Sequence, residues 1–256
     1  MFTFPVAHFA GESAYEIAQS LDFESSSSAE LTRTFGSAGN RRTWSLSWWV
    51  KRESVGTRQM MFTVTAAGGA QGIIEFSVGD GSGGGGDNKL VFNNETSGTT
   101  ALNWELEVAF DSTSDWYHFL AVYDTTQSDA NNRLKCFVNG TAQTAWHRIA
   151  TPAQNQEQAF NNALEHNIGG PHAALSMFYD GLMAEIIIID GVAKSVTDFG
   201  KTSGSDWVPV EYDGAFPGNS FHIDGRDSSD LGDDESGNGN DFSNSNVAQS
   251  STTPTS

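Results

Sequence analysis

The stretch TWSLSWWVKR at residues 43–52 alternates between apolar and polar side chains with a period of two. The apolar parity consists of Trp44, Leu46, Trp48 and Val50. Because successive side chains of a β-strand point to opposite faces, this alternation predicts a strand with one buried face. Residues 102–110 repeat the pattern more cleanly, with Glu105 and Glu107 on the polar parity. Both stretches are typical of antiparallel sheets that cover a core on one side.

Two further stretches are apolar on both parities. Residues 115–123 place aromatic and aliphatic side chains on each face, and residues 182–189 place β-branched side chains on each face. Both faces of such strands need cover, so we expect these strands to be central in their sheet. Additional strands are predicted at residues 59–65, 72–78, 89–93 and 133–139.

The connections between these strands have recognisable turn chemistry. Asn139-Gly140 separates two strand patterns and predicts a type I′ hairpin, because both residues tolerate positive φ. The glycine-rich residues 79–87 predict a loose hairpin tip, since the lysine and hydroxyl of a phosphate-binding loop are missing. Helical patterns are limited to residues 157–166 and a single turn at 195–200. Many short strands with little helix predict an all-β jelly-roll sandwich of two antiparallel sheets.

The composition excludes several function classes. The 256 residues include 13 Lys and Arg against 32 Asp and Glu, a formal net charge of −19. This charge repels phosphate backbones and anionic membranes, so we expect no binding to nucleic acid and no membrane insertion. The N-terminus has no basic segment and no long apolar run, which predicts synthesis in the cytoplasm without a secretory signal. The single cysteine, Cys136, shares the parity of Leu134 and is predicted to be a small core residue.

Ten motifs follow one another in the order found in a known domain family. They are Ser20–Phe23, Ser37–Ser45, Trp49–Arg52, Asp115–Asp124, Leu134–Gly140, Ile168–Gly170, Tyr179–Glu185, Ile189–Gly191, Asp198–Gly200 and Trp207–Pro209. Together they resemble concanavalin A-like (laminin G-like) lectin/glucanase domains, in the version found in tail-fibre and other virion structural proteins of marine bacteriophages. The resemblance implies a concanavalin A-like jelly-roll sandwich over roughly Ser20 to Pro209.

We expect three parts along the chain. Residues 1–14 form an N-terminal arm, residues 15–203 form the sandwich, and residues 204–256 form an acidic segment rich in Asp, Asn and Gly. Two interpretations of the acidic segment are open, either a tail or linker, or the start of a further domain. Residues 234–240 resemble a run near the start of another domain of the same family.

An enzymatic role needs a suitable set of catalytic side chains. Retaining glycosidases use two carboxyl groups about 5–5.5 Å apart. Glu105 and Glu107 share a strand face, but residue 109 is alanine where the glucanases of this fold carry a third carboxylate. Glu185 and Asp190 are predicted to lie on opposite faces, because an odd number of steps separates them. No serine or cysteine nucleophile pattern can be placed, so we predict no catalytic residues and no enzymatic activity.

The acidic segment also contains part of a calcium-loop pattern. Asp234, Ser236 and Asn238 match the first, third and fifth positions of such a loop, but position twelve lacks the bidentate glutamate. This spacing rejects an EF-hand and leaves a looser calcium site formed by side-chain oxygens, with a solvated turn as the alternative. Residues 124–131 form a second oxygen-rich loop with the same two interpretations.

Carbohydrate binding calls for exposed aromatic side chains near hydrogen-bonding groups. The candidates are Trp49, Tyr117, Tyr123, Trp146 and His147, which lie on polar parities or in polar stretches. The alternative for each is packing beneath a neighbouring strand or loop.

The resemblance and the missing catalytic set lead to a functional expectation. We expect a non-enzymatic phage virion structural protein, a tail-fibre or spike component. Its lectin-like domain would contact host-surface glycans or neighbouring subunits, and its location would be the virion. The alternatives are a capsid (head) decoration protein and a polysaccharide depolymerase. Fibre proteins commonly self-associate, so we also expect a homo-oligomer.

Overall fold

The computed structural model describes residues 15–66, 69–78, 87–96, 99–170 and 176–254. The strands are β1 (Ser20–Phe23), β2 (Glu30–Thr34), β3 (Thr43–Arg52), β4 (Gln59–Ala66), β5 (Gly69–Phe76), β6 (Lys89–Thr96), β7 (Thr99–Ala109), β8 (Trp116–Asp124), β9 (Leu134–Val138), β10 (Thr141–Ala142), β11 (Trp146–Ala150), β12 (Glu165–Ile168), β13 (Gly181–Asp190), β14 (Gly200–Ser203), β15 (Asp206–Pro209), β16 (Phe221–Ile223), β17 (Ser243–Ser245) and β18 (Ala248–Ser250). The helices are short 3-10 turns at Ser25–Ser27, Ala130–Asn132 and Val196–Asp198. None of the helices in the described ranges is long and apolar enough to cross a membrane.

The strands form two large antiparallel sheets and a small hairpin. Sheet A has the order β10-β9-β8-β3-β13-β1-β18, and β16 also pairs with β13. Sheet B has the order β11-β7-β6-β5-β4-β12-β2-β17, and β14 pairs with β15. This architecture confirms the predicted all-β jelly-roll sandwich.

The core between the sheets is dominated by aromatic side chains. The ring centroid of Trp48 on β3 lies 5.3 Å from that of Phe62 on β4 and 5.2 Å from that of Phe119 on β8. Trp44 stacks on Tyr123 with a centroid separation of 5.3 Å. Full burial of one such side chain contributes about 1.5–3 kcal/mol, so these contacts between the sheets are a large part of the stabilisation. The apolar parity of residues 43–52 is confirmed as core-facing.

Sheet A is also covered on its outer face, as its two-sided strands predicted. Leu120 on β8 and Ile187 and Ile189 on β13 pack with Phe199 in a second apolar cluster. The side chains that close this cluster from outside come from residues 196–216. The chain therefore supplies a third layer on this face, and β8 and β13 are central strands.

The acidic segment 204–256 differs from the expected tail, linker or further domain. β16 pairs with β13, β17 pairs with β2, and β18 pairs with β1, so the segment adds strands to both sheets. Apolar residues scattered among its Asp, Asn and Gly anchor it, and Phe221, Phe242 and Val247 belong to the main core. The composition of the segment does not predict these core positions, because the apolar residues are few and widely spaced along it.

The helix predicted at residues 157–166 is wrong. Ala159 and Phe160 are buried in the core, and the backbone amide of Ala159 donates to Asn94 Oδ1 at 2.8 Å. Asn161 has a φ of 62°, which is incompatible with a right-handed helix. The single turn at 195–200 is confirmed as a 3-10 helix with a capping box at Ser195. Residues 79–86 of the predicted glycine-rich tip lie outside the described residues.

The Asn139-Gly140 hairpin is confirmed and bears directly on the outer layer. The two residues have φ values of 45° and 77°, as a type I′ turn requires. A Cβ atom at Gly140 or at Gly200 would overlap the ring of Trp207. Trp207 also donates from Nε1 to His118 Nδ1 at 3.0 Å. The indole thus fastens the C-terminal layer to the β9–β10 hairpin and to β8.

We predict that Trp207→Ala destabilises the fold by about 3 kcal/mol, because truncating a large packed aromatic side chain leaves a cavity. Trp207→Phe retains most of the packing and loses only the hydrogen bond, so it is expected to cost about 1 kcal/mol. The measurement is denaturant unfolding followed by fluorescence and circular dichroism. Equal stability of Trp207→Ala and the parent chain would contradict the fastening role of this side chain.

Candidate functional site

A cleft of about 340 Å³ opens at one edge of the sandwich, where the edge of sheet A meets the edge of sheet B. We call it the edge cleft. Its lining residues are Asn131, Asn132, Leu134, Lys135, Cys136, Phe137, Ala142, Gln143, Thr144, Trp146 and Arg148. They come from the second 3-10 helix, β9, β10, the following turn and β11. The cleft therefore combines aromatic, amide, hydroxyl and cationic groups.

Trp146 is the residue of the edge cleft that belongs to the predicted carbohydrate-binding set. β11 pairs with β7 so that Trp146 lies opposite Leu106 on the inner face. Its ring packs at 5.4 Å from Trp104 and 6.1 Å from Phe92, measured between centroids. Its Nε1 donates to the carbonyl of Gln143 at 3.2 Å. These contacts hold the indole in one orientation while leaving it partly exposed.

Arg148 lies two residues further along β11 and therefore on the same face as Trp146. Its guanidinium carbon lies 4.1 Å from the ring centroid of Trp104, a cation–π contact. Its Nη1 donates to Asn131 Oδ1 at 2.7 Å, and the side chain remains exposed. Arg148 is absent from the residues predicted from the sequence, although its i+2 spacing from Trp146 is a signal for a shared strand face.

The other predicted carbohydrate contacts lie elsewhere. His147 is exposed on the opposite face of β11, paired with Glu105 on the outer side of sheet B. Tyr117 is half-buried at the far end of β8 against Phe110, and burial raises the pKa of its phenol. The structure thus brings only Trp146 of the predicted aromatic set into the edge cleft.

The prediction that Trp49 and Tyr123 contact carbohydrate is wrong, because both side chains are buried. Trp49 is 4% exposed, because Ile17 and Trp207 pack over the outer face of sheet A. Tyr123 is 1% exposed and stacks on Trp44 inside the core. Neither ring presents a face on which a sugar could stack.

A buried serine–histidine contact resembles part of a catalytic triad. Ser47 Oγ lies 2.9 Å from His118 Nε2, and both residues are buried. The indole N–H of Trp207 can only donate, so His118 Nδ1 accepts and Nε2–H donates to Ser47. His118 is thus unable to take the serine proton, and burial lowers its pKa from 6.5 to about 3. The contact is a structural link between β3, β8 and the C-terminal layer.

The carboxylates considered for catalysis are engaged in ion pairs or turns. Lys89 Nζ lies 3.4 Å from Glu105 and 3.5 Å from Glu107, so one ammonium bridges the two side chains. Glu185 sits at a bulge in β13 with a φ of 48° and accepts from His222 Nε2 at 2.8 Å. Asp190 accepts from the backbone amides of its neighbouring loops. At about 3.3 Å per residue, five residues of strand separate Glu185 and Asp190 by about 16 Å.

Asp234 organises a tight turn in the acidic segment. Its Oδ1 accepts backbone amides from His222 and Ser236, and its Oδ2 accepts Ser236 Oγ and the amide of Asn240. Asn238 directs its side-chain N–H groups to two carbonyls. In this geometry both carboxylate oxygens of Asp234 accept from protein donors, and calcium binding at this turn stays a prediction. The described residues contain no group of three or more His, Cys, Asp or Glu suited to a metal ion.

A family profile described as "Concanavalin A-like lectin/glucanases superfamily" matches residues 23–196. The chain belongs to this superfamily. The matched range begins within β1 and ends at the third 3-10 helix, so the outer C-terminal layer lies beyond it. No curated protein matches this superfamily member.

Several solved structures are similar to this lectin/glucanase-superfamily chain. A Bacteroides ovatus protein described as a "putative carbohydrate binding protein" is 13% identical over 92% of this chain and 60% of its own, with a TM-score of 0.62. The heptameric SAP-like pentraxin of Limulus polyphemus is 12% identical over 71% and 80%, with a TM-score of 0.49. The LG4-5 domains of mouse laminin α1 are 12% identical over 78% and 46%, with a TM-score of 0.45. The chain thus spans less than two thirds of the Bacteroides and laminin chains, and at these identities the likeness concerns the fold.

We predict that acid destabilises this protein partly through His118. The ring is neutral when buried, so it contributes stability above its unfolded pKa near 6.5, and this contribution is lost as the pH falls toward about 3. The slope is up to about 1.4 kcal/mol per pH unit. Unfolding measured between pH 6.5 and 4.5 should show a shallower slope for His118→Gln than for the parent chain. Identical slopes would contradict the burial of a neutral ring.

We predict that Asp234→Ala destabilises the protein by about 3 kcal/mol, because it leaves one buried and two partly buried amides without an acceptor. Asp227→Ala, at an exposed position of the same segment, is the control and should change stability by less than about 0.5 kcal/mol. Thermal unfolding in chelator and in added Ca²⁺ should give the same midpoint. A calcium-dependent rise that is absent from Asp234→Ala would instead establish the calcium site.

Proposed function

We propose that this chain is the glycan-binding domain of a non-enzymatic phage virion structural protein, a tail-fibre or spike component. The observation that carries the glycan-binding proposal is the edge cleft, in which a fixed indole lies beside a guanidinium and several amide groups. The phage assignment is supported by the ordered motifs that resemble virion lectin-like domains. Membership of the lectin/glucanase superfamily is consistent with both parts.

The chemistry of the edge cleft suits a saccharide. An aromatic face contributes apolar contact area to the C–H side of a sugar ring, and its rigidity limits the entropy lost on binding. Asn132, Gln143 and Thr144 supply donors and acceptors that match vicinal hydroxyl groups. Binding sites with a few placed polar groups around an apolar surface are typical of small-molecule recognition.

A binding role without hydrolysis is supported by the state of the carboxylates. A retaining glycosidase needs one carboxyl group as nucleophile and one as acid. Glu105 and Glu107 instead share the ammonium of Lys89, and the lining of the edge cleft includes no carboxylate. The depolymerase alternative predicts release of oligosaccharides, so a flat reducing-sugar assay across host polysaccharides is the expected result.

We predict that Trp146→Ala weakens binding to host cells or their purified polysaccharides by about tenfold or more, as truncation of a central aromatic contact does. His147→Ala is the matched control, because the neighbouring side chain faces the other side of the sheet. Binding is measured by interferometry with immobilised polysaccharide. Loss of binding in His147→Ala alone would place the site on the outer face of sheet B and contradict the edge cleft.

Virion location and self-association need separate measurements. Imaging of virions with this protein labelled should place it on the tail, whereas a head location would favour the decoration alternative. A light-scattering mass of several chains would support the expected homo-oligomer. Absence from virions would contradict the phage part of the proposal and leave glycan binding to be judged by the binding measurements.

A further inference from the structure

The charge around the edge cleft is opposite to that of the whole chain. Residues 130–156 contain no Asp or Glu, although the chain has 32 of them. The same stretch carries Arg133, Lys135 and Arg148, and it supplies every residue that lines the edge cleft. The lining of the edge cleft thus includes Lys135 and Arg148 and no carboxylate, which gives it a positive formal charge, and Asp129 beside Asn131 is the acid that flanks it.

The three cations of this stretch are not neutralised by ion pairs. The salt bridges among the described residues involve other side chains. Arg133 donates to the backbone carbonyls of Gln127, Ser128 and Pro152. Lys135 and Arg148 are exposed, so both can meet a ligand. The charge at the edge cleft is therefore available for recognition.

Arg148 is also oriented before any ligand arrives. Asn131 Oδ1 accepts its Nη1–H, and the amide of Asn131 donates in turn to Asp129 Oδ1 at 3.1 Å. The guanidinium plane lies over Trp104 on one side. This arrangement leaves other N–H groups of the guanidinium for an oxyanion, and a guanidinium matches carboxylate and sulfate geometry through paired hydrogen bonds.

We infer that the edge cleft selects anionic glycans, whose carboxylate or sulfate groups bind Arg148 while a sugar ring packs on Trp146. This inference rests on the proposed glycan binding and names the chemical class of the ligand. The net charge of −19 opposes the approach of any polyanion, so the expected preference depends on the short-range contacts of the edge cleft.

Two matched polymer pairs test the ligand class. They are polygalacturonate against its methyl ester, and dextran sulfate against dextran. In interferometry with immobilised protein, we expect the anionic member of at least one pair to bind about tenfold or more tightly than its neutral partner, as charge-assisted hydrogen bonds imply. The first pair reports carboxylate recognition and the second reports sulfate recognition.

Substitutions locate the charge recognition. Arg148→Gln should abolish the preference for the anionic member, and Arg148→Lys should restore part of it because it keeps the charge but loses the planar fork. Lys51→Gln removes the same charge at the opposite end of sheet A and should leave the preference unchanged. If Arg148→Gln does not fold, as judged by circular dichroism, Lys135→Gln replaces it with the expectation of a weaker preference.

The outcomes separate this inference from the proposed function. Equal binding of the neutral and anionic members overturns anion selection and leaves glycan binding intact. A preference that persists unchanged in Arg148→Gln and Lys135→Gln overturns the assignment to the edge cleft. No binding to either pair while host cells are still bound overturns the ligand class. No binding to either pair or to host cells overturns the proposed function as well.

Discussion

Burial of both faces of sheet A is the constraint on which the rest of this structure depends. β8 and β13 carry large apolar side chains on each side, and sheet B covers only one of those sides. Exposing the other face would leave several aliphatic residues in water, at about 25 cal/mol for each Å². The segment after β13 meets this need by folding back over sheet A. An acidic stretch whose composition is typical of a linker thus forms part of a structural layer.

This outer layer also helps to position the edge cleft. Trp207 packs against Gly140 in the hairpin that joins β9 to β10, and residues of both strands line the cleft. Its hydrogen bond to His118 fixes the tautomer of a buried ring that in turn contacts Ser47. The same contacts explain why a serine–histidine pair is present without catalytic geometry. Packing of the C-terminal layer and shaping of the candidate site are thus parts of one arrangement.

The edge cleft itself is an electrostatic exception within an acidic protein. The residues that line the cleft come from one stretch without carboxylates. Along β11, Trp146 and Arg148 lie on the cleft side of the strand, and His147 between them lies on the opposite side. Strand geometry therefore brings Trp146 and Arg148 to the same side and separates His147 from them. A rigid indole beside an oriented guanidinium is an arrangement suited to ligand binding.

Local sequence determined the strands and the turns. Period-two alternation identified the core face of β3 and β7, two-sided apolarity identified the central strands, and Asn139-Gly140 identified its hairpin, because each signal depends on neighbouring residues alone. Tertiary structure decided what covers each face. Parity placed Trp49 on the outer side of its strand, but only the folded chain shows that Trp207 covers it. The tertiary structure also decided that residues 157–166 are not helical and that Trp146 and Arg148 line one cleft. Burial and long-range contacts override weak local preferences.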